Sequence, residues 1–180
     1  MQLIDFFTLS LYESITMQRI GLISDTHTYL HPKIFDFFKD CNQIWHAGDI
    51  GSIEVIDNLK KFKELHAVYG NIDDYKIRQI FNENLIFNCE NVKVYITHIG
   101  GYPGNYSFTA KEIIKNEKPD LFISGHSHIL KVIYDKKNQL LHINPGAAGK
   151  SGFHHVITFL RFIIDGKEIK DLEIMELERS

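Results

Sequence analysis

An α/β fold, a sheet covered by helices, is what this sequence predicts, and three observations predict it. From residue 19 onward, short apolar runs alternate with stretches of helical spacing, the pattern of βαβ units. The last third reads mostly as strand and contains the two-residue hairpin signal Asp165-Gly166. The chain has 180 residues, 44% hydrophobic and 24% charged, enough to bury a full core without disulfide or metal staples.

Residues 1–16, MQLIDFFTLSLYESIT, resemble nothing that follows. They lack the basic start of a signal peptide, and Asp5 interrupts their apolar stretch. Two expectations stand for them. Either they come from an upstream start site, with Met17 opening a single domain over 17–180, or they form a short surface helix.

Residues 19–24 are a buried-strand run, and 32–39 read as a helix with Pro32 in its first turn. Gln43–His46 is a short strand. Residues 52–62 set Ile53, Val55, Ile56 and Leu59 near helical spacing, with Ser52 as the cap. Strand 65–69 and helix 74–81 come next. Residues 85–89 and Val92–Thr97 flank Glu90-Asn91 as a hairpin, and helix 109–116 stops at Lys118-Pro119. Strand 120–124 follows, then strands at 131–134, 140–144, 155–164 and 168–175.

Composition narrows the function. The formal net charge is -3 and no basic stripe carries interleaved aromatics, which argues against an extended nucleic-acid surface. Two cysteines, Cys41 and Cys89, make no disulfide framework, so a reducing cytoplasm is the expected setting. No apolar run approaches the roughly 20 residues of a membrane span.

Ligand-type residues gather where strands end. The first strand runs into Asp25-Thr-His27, the second into His46-Ala-Gly48-Asp49, and the third into Gly70-Asn71-Ile-Asp73. Val92–Thr97 ends at His98, and strand 120–124 leads to Gly125-His126-Ser-His128. Taken singly, an Asp after a strand is a turn former or helix cap, and a lone His is a loop residue. Five strands doing this together point to the carboxyl-end edge where α/β sheets place their sites.

The count says more. Asp25, His27, Asp49, Asn71, His98, His126 and His128 supply three oxygen residues and four imidazoles. One ion with open positions needs only three or four protein ligands, so this set suggests two ions sharing a bridge, with the central Asp49 as the bridging carboxylate. Oxygen and nitrogen ligands without thiolate suit Mn²⁺, Fe or Zn²⁺.

In this order, Asp-x-His, Gly-Asp, Gly-Asn-x-Asp, His and Gly-His-x-His resemble the calcineurin-type metallophosphoesterase superfamily, in its compact bacterial and archaeal phosphodiesterase branch. The resemblance runs from about Arg19 to the C-terminus. It implies a four-layer αββα sandwich with two divalent metal ions, Mn²⁺ first, with Fe, Zn²⁺ or Ni²⁺ as alternatives. On that pattern Asp25, His27, Asp49 and His128 hold one ion, while Asp49, Asn71, His98 and His126 hold the other. Asp49, Asn71, Asp73 and His98 are the residues expected to carry catalysis. The turn Asn144-Pro145-Gly146 also resembles a feature of this branch, near the site; a plain β-turn explains it equally well.

Two positions depart from the pattern. Ile72 stands where many relatives have a histidine that helps protonate the leaving group, and isoleucine transfers no proton. Ile99 follows His98 where glycine is common, and the loop Gly100-Gly101-Tyr102-Pro103-Gly104 is expected to shape the pocket. The expected reaction is hydrolysis of a small phosphodiester by a metal-bridging hydroxide, helped by a metal-bound water or by an imidazole such as His46 or His154, with Asp73 orienting Asn71 or another ligand from behind. The alternative is a binding scaffold, the use made of this fold by a retromer subunit. A third reading is a one-metal hydrolase of carbon esters or amides. A sheet edge in the β-rich last third is the expected place for homo-oligomer contacts.

Overall fold

The computed structural model describes residues 17–179, so both expectations for residues 1–16 lie outside the described residues. In chain order the elements are β1 (Gln18–Ile23), α1 (Lys33–Phe37), β2 (Gln43–His46), α2 (Ile53–Phe62), β3 (Glu64–Ala67) and α3 (Tyr75–Ile80). Then come β4 (Asn84–Cys89), β5 (Val92–Thr97), β6 (Gly101–Tyr102), β7 (Asn105–Tyr106), α4 (Phe108–Glu117) and β8 (Leu121–Ile123). The last third holds β9 (Leu130–Asp135), β10 (Leu140–Pro145), β11 (Val156–Asp165) and β12 (Glu168–Glu178).

These strands make two five-stranded sheets, β12-β11-β1-β2-β3 and β4-β5-β8-β10-β9. Side-chain alternation explains why the two stack. Ile20 and Leu22 of β1 turn inward with Trp45, Val94, Ile96, Leu121, Ile123, Ile143, Leu160 and Phe162 to form the core between the sheets. Their alternates Ile23, Ile44 and Phe159 face outward onto Ile34 and Phe38 near α1 and Val55, Ile56 and Leu59 of α2. On the opposite side Tyr95, Phe122 and Leu140 meet Ala110 and Ile114 of α4. The layers are therefore α, β, β and α, the sandwich that the resemblance implied.

Each sheet holds three parallel strands in a row: β1, β2 and β3 at one side of the first, β5, β8 and β10 in the middle of the second. Six strands thus send their carboxyl ends the same way within their sheets, and the antiparallel strands lie outside them. Cys89 sits in the inter-sheet core and Cys41 in the helix-side core, both buried and free, and burial pushes each thiol up to about 11. Among the described residues no helix is long and apolar enough to cross a membrane.

Several details differ from the sequence reading. Helix α1 is only five residues long, because the chain turns back from Phe38 to bring Asn42 onto the Arg19 carbonyl and start β2 beside β1. Ser52 takes the cap position of α2, but its hydroxyl makes no cap bond. Ser107 caps α4, its Oγ accepting from the Ala110 amide at 3.3 Å, one residue earlier than the apolar spacing suggests. The loop after His98 holds the small hairpin β6–β7, turned through Pro103 and Gly104.

Candidate metal centre

Each of the six parallel strands hands a residue to one edge. β1 runs through Ser24 to Asp25 and His27, β2 to Asp49, and β3 through Val68 and Tyr69 to Asn71. β5 delivers His98, β8 delivers His126 and His128 through Gly125, and β10 carries Asn144. The backbone turns hard to present them. Asp25, His27, Asp49, His126 and His128 have φ of 54°, 45°, 54°, 68° and 57°. That left-handed region costs a side-chain-bearing residue about 1 kcal/mol or more, and such strain gathers at functional sites.

A ladder between the first two turns holds the strain. The amides of Asp25, His27 and Thr28 donate to the carbonyls of Gly48, Asp49 and Ile50 at 2.9, 3.0 and 3.0 Å. Gly48 (φ +92°) is required where it stands, since a Cβ there would come within 2.7 Å of the His98 ring. Asp49 can therefore pass under His98 only with glycine before it.

Burial grades the site from floor to mouth. Asp25, Asp49 and His98 are buried, His27 and His128 are half-buried, and Asn71 and His126 are exposed. Donor atoms of Asp25, His27 and His128 lie within 4.8 Å of one another, as do those of Asp49, His98 and His126. Asp49 faces both trios: Oδ2 lies 3.7 Å from His27 Nε2, and Oδ1 lies 3.2 Å from His98 Nε2. Asn71 Oδ1 stands 3.1 Å from the same His98 nitrogen. Asp25 Oδ1 lies 3.1 Å from His128 Nε2, yet is buried without a hydrogen-bond partner.

This set fits divalent cations. His98 Nδ1 lies 2.8 Å from the Ala47 carbonyl, so we assign the ring proton there, which turns the Nε2 lone pair toward two oxygens. Lone pairs facing lone pairs need a positive centre between them. Burial lowers the His98 pKa, but Asp49, Asp25 and the Ala47 carbonyl outweigh it and the net shift is upward. Burial raises that of Asp49, but His98, the Ile72 amide and His27 outweigh it, and the net shift is downward. A cluster that draws protons in this way draws metal cations in exchange for them.

Behind the donors stands a second ring of residues. His154 Nε2 lies 3.0 Å from the Gly149 carbonyl and its Nδ1 lies 3.1 Å from His128 Nδ1. We assign the protons so that each ring donates backward, leaving His128 Nε2 facing Asp25. Asn144 Nδ2 donates to the Gly125 carbonyl at 2.8 Å and to Ser127 Oγ at 3.1 Å, bracing the turn that carries both histidines. Arg78 ties the Asn71 turn together through the carbonyls of Gly70, Asn71 and Asp73 at 3.3, 3.2 and 2.7 Å. Arg78 carries no motif signal in the sequence.

Two expected helpers stand back from the mouth. Asp73 accepts from the amides of Gly51 and Gly70, both at 2.7 Å, and of Ile50 at 3.2 Å. Its carboxylate positions the Asp49 and Asn71 turns rather than facing the mouth. His46 is fully buried: the Gly48 amide donates to Nδ1 at 3.2 Å, and Nε2 lies 2.9 Å from Thr26 Oγ1. Burial pushes its pKa down to about 3, so it remains neutral and sealed from any leaving group.

The calcineurin-like phosphoesterase superfamily domain matches residues 18–167. The chain belongs to that family. A probable metallophosphoesterase of Methanocaldococcus jannaschii is 31% identical over 134 residues, 71% of this chain and 67% of that protein. One from Methanothermobacter thermautotrophicus is also 31% identical over 134 residues, covering 71% and 76%. Among solved structures, zinc-complexed Vps29 of Entamoeba histolytica aligns at TM-score 0.67 with 20% identity, over 90% of this chain and 99% of that one. A predicted phosphoesterase of Streptococcus pneumoniae aligns at 0.65 with 21% identity, over 92% of both. At those identities the structural likeness carries the architecture alone. As a calcineurin-like phosphoesterase, this chain is a hydrolase whose clustered donors are candidate ligands for divalent metal ions.

Proposed function

We propose that this calcineurin-like phosphoesterase hydrolyses small phosphodiesters at a dinuclear centre, with Mn²⁺ the first choice of metal and Fe, Zn²⁺ or Ni²⁺ the alternatives. The observation that carries this is Asp49, whose two carboxylate oxygens face different donor trios. Asp25, His27, Asp49 and His128 would hold one ion, and Asp49, Asn71, His98 and His126 the other. Such a pair, when bound, acidifies water to supply the nucleophile and neutralises charge developing on the phosphoryl group.

The protein's own contribution is to place these donors rigidly and to withhold an acid. His98 is locked by Ala47, His128 by His154, and the Asn71 turn by Asp73 and Arg78. Ile72, 46% exposed at the mouth, has no proton to give. His46 is sealed, and His154 has both ring nitrogens engaged. General-acid help is worth about 10²–10⁴-fold, so substrates whose leaving group departs unprotonated are favoured, and diesters with acidic leaving groups come before alkyl monoesters. A cytoplasmic setting accords with the two free thiols.

A series of aryl methyl phosphates tests this reading. Hydrolysis should require added Mn²⁺, stop with a chelator, and fall steeply as the pKa of the departing phenol rises. A flat dependence would reveal a general acid at the site and contradict this reading. Absence of metal-dependent hydrolysis across the series would favour the scaffold reading, which rests on the fold likeness to Vps29. The brace behind His128 gives a second test: His154→Phe keeps the ring and removes its nitrogens. Metal affinity, measured by chelator competition, should drop about tenfold, and an unchanged affinity would make His154 a packing contact only.

A further inference from the structure

The loop that joins β10 to β11 passes behind His128 and buries almost nothing of its own. Lys150, Ser151, Gly152, Phe153 and His155 are exposed, Phe153 completely, and His154 is half-buried. Its start is fastened to the strand edge, where the Ala148 and Gly149 amides donate to the Ser24 and Asp25 carbonyls at 2.8 and 3.0 Å. Beyond Gly149 one flank faces a cavity of about 490 Å³ that His126, His128, Ile129 and Phe153 also border. A segment with so little apolar burial opens at low free energy unless polar ties hold it.

Those ties come from Arg179, just past the end of β12. Its amide donates to the His155 carbonyl at 3.3 Å. Its side-chain Nη1 donates to the carbonyls of Lys150 at 3.2 Å and Gly152 at 2.5 Å. One charged donor thus fixes the backbone on both sides of Ser151. Gly152 lies so close to His128 that a Cβ there would collide with the imidazole. Two residues on, His154 stands between the Gly149 carbonyl and His128 Nδ1, at 3.0 and 3.1 Å. Lys150 Nζ adds a contact from the loop's outer side, 4.9 Å from the centre of the Tyr29 ring.

We propose that Arg179 is a positioning residue for the ion that Asp25, His27, Asp49 and His128 would hold, acting through the loop carbonyls on His154 and through His154 on His128. The proposal rests on the dinuclear reading above and adds selectivity between the two ions. His98, at the other ion, takes its brace from the Ala47 carbonyl and owes nothing to this loop. Loss of the Arg179 side chain should therefore loosen one ion and spare its neighbour.

Arg179→Ala tests this, because it removes both side-chain bonds and keeps the backbone bond to His155. Chelator competition with Mn²⁺ gives the two stepwise dissociation constants. One is expected to rise about tenfold, the lower end of what outer partners of a metal site contribute, and the other to stay within about twofold. In a His154→Phe background the same substitution should add less than about twofold, since the two residues act in series. Unchanged constants, an equal weakening of both, or a full Arg179 effect without His154 would overturn the proposal. A second readout needs no metal: the His128 and His154 ring signals of chelator-treated protein should shift by NMR in Arg179→Ala. If wild type binds one ion only, the dinuclear reading fails, and those ring signals then decide for Arg179 by shifting or against it by staying put.

Discussion

Asp49→Asn is expected to reduce metal-dependent hydrolysis of an activated phosphodiester by more than about a hundredfold. Changes to the outer partners of a metal site already cost about 10–100-fold, and Asp49 faces both trios directly. The amide preserves the shape and the bond from the Ile72 amide to Oδ1, while removing the charge and the second equivalent oxygen that a bridge requires. The fold should survive, because the Asp25–Gly48 and His27–Asp49 ladder is made by the backbone alone. Steady-state rates across a Mn²⁺ titration measure this. A rate within a few-fold of wild type would show that Asp49 does not join two ions.

Trp45→Ala carries the largest expected loss of stability. Trp45 is fully buried between the sheets, edge-on to Phe87 and Phe162 at centroid distances of 5.1 and 5.8 Å. Its Nε1 donates to Gln43 Oε1 at 3.0 Å, so the indole leaves no donor unpaired. Truncating such an aromatic costs about 3–5 kcal/mol, which for a chain of this length lowers Tm by roughly 10 °C. Thermal melts at a fixed metal concentration measure it. A loss below about 1 kcal/mol would mean that the inter-sheet contact is not the main core.

How much of this was legible in the sequence depended on locality. Each ligand-type residue lies close behind a strand, so Asp25, His27, Asp49, Asn71, His98, His126 and His128 could be picked out by residue type and position. The two-sheet layering was harder, because strands such as β1 and β8 are apolar on both faces and show no alternation that separates inside from outside. That part came from the family resemblance. The β6–β7 hairpin has two residues a strand, too few for any period to register.

The acid and base assignments were the least legible. His46 stands in the same short stretch as Asp49, yet the strand turns its ring into the protein while the following turn points Asp49 outward. Asp73 stands behind Asn71, but it acts on the turns through three backbone amides, a partnership that no sequence pattern announces. His154 braces His128 from 26 residues further along the chain, in a loop without periodic signal.

Metal analysis of Mn²⁺-loaded protein tests the dinuclear claim most directly. Two ions per chain are expected at saturation, falling to one or fewer in Asp49→Asn. One ion per chain in the wild type, with the same content in the variant, would contradict it.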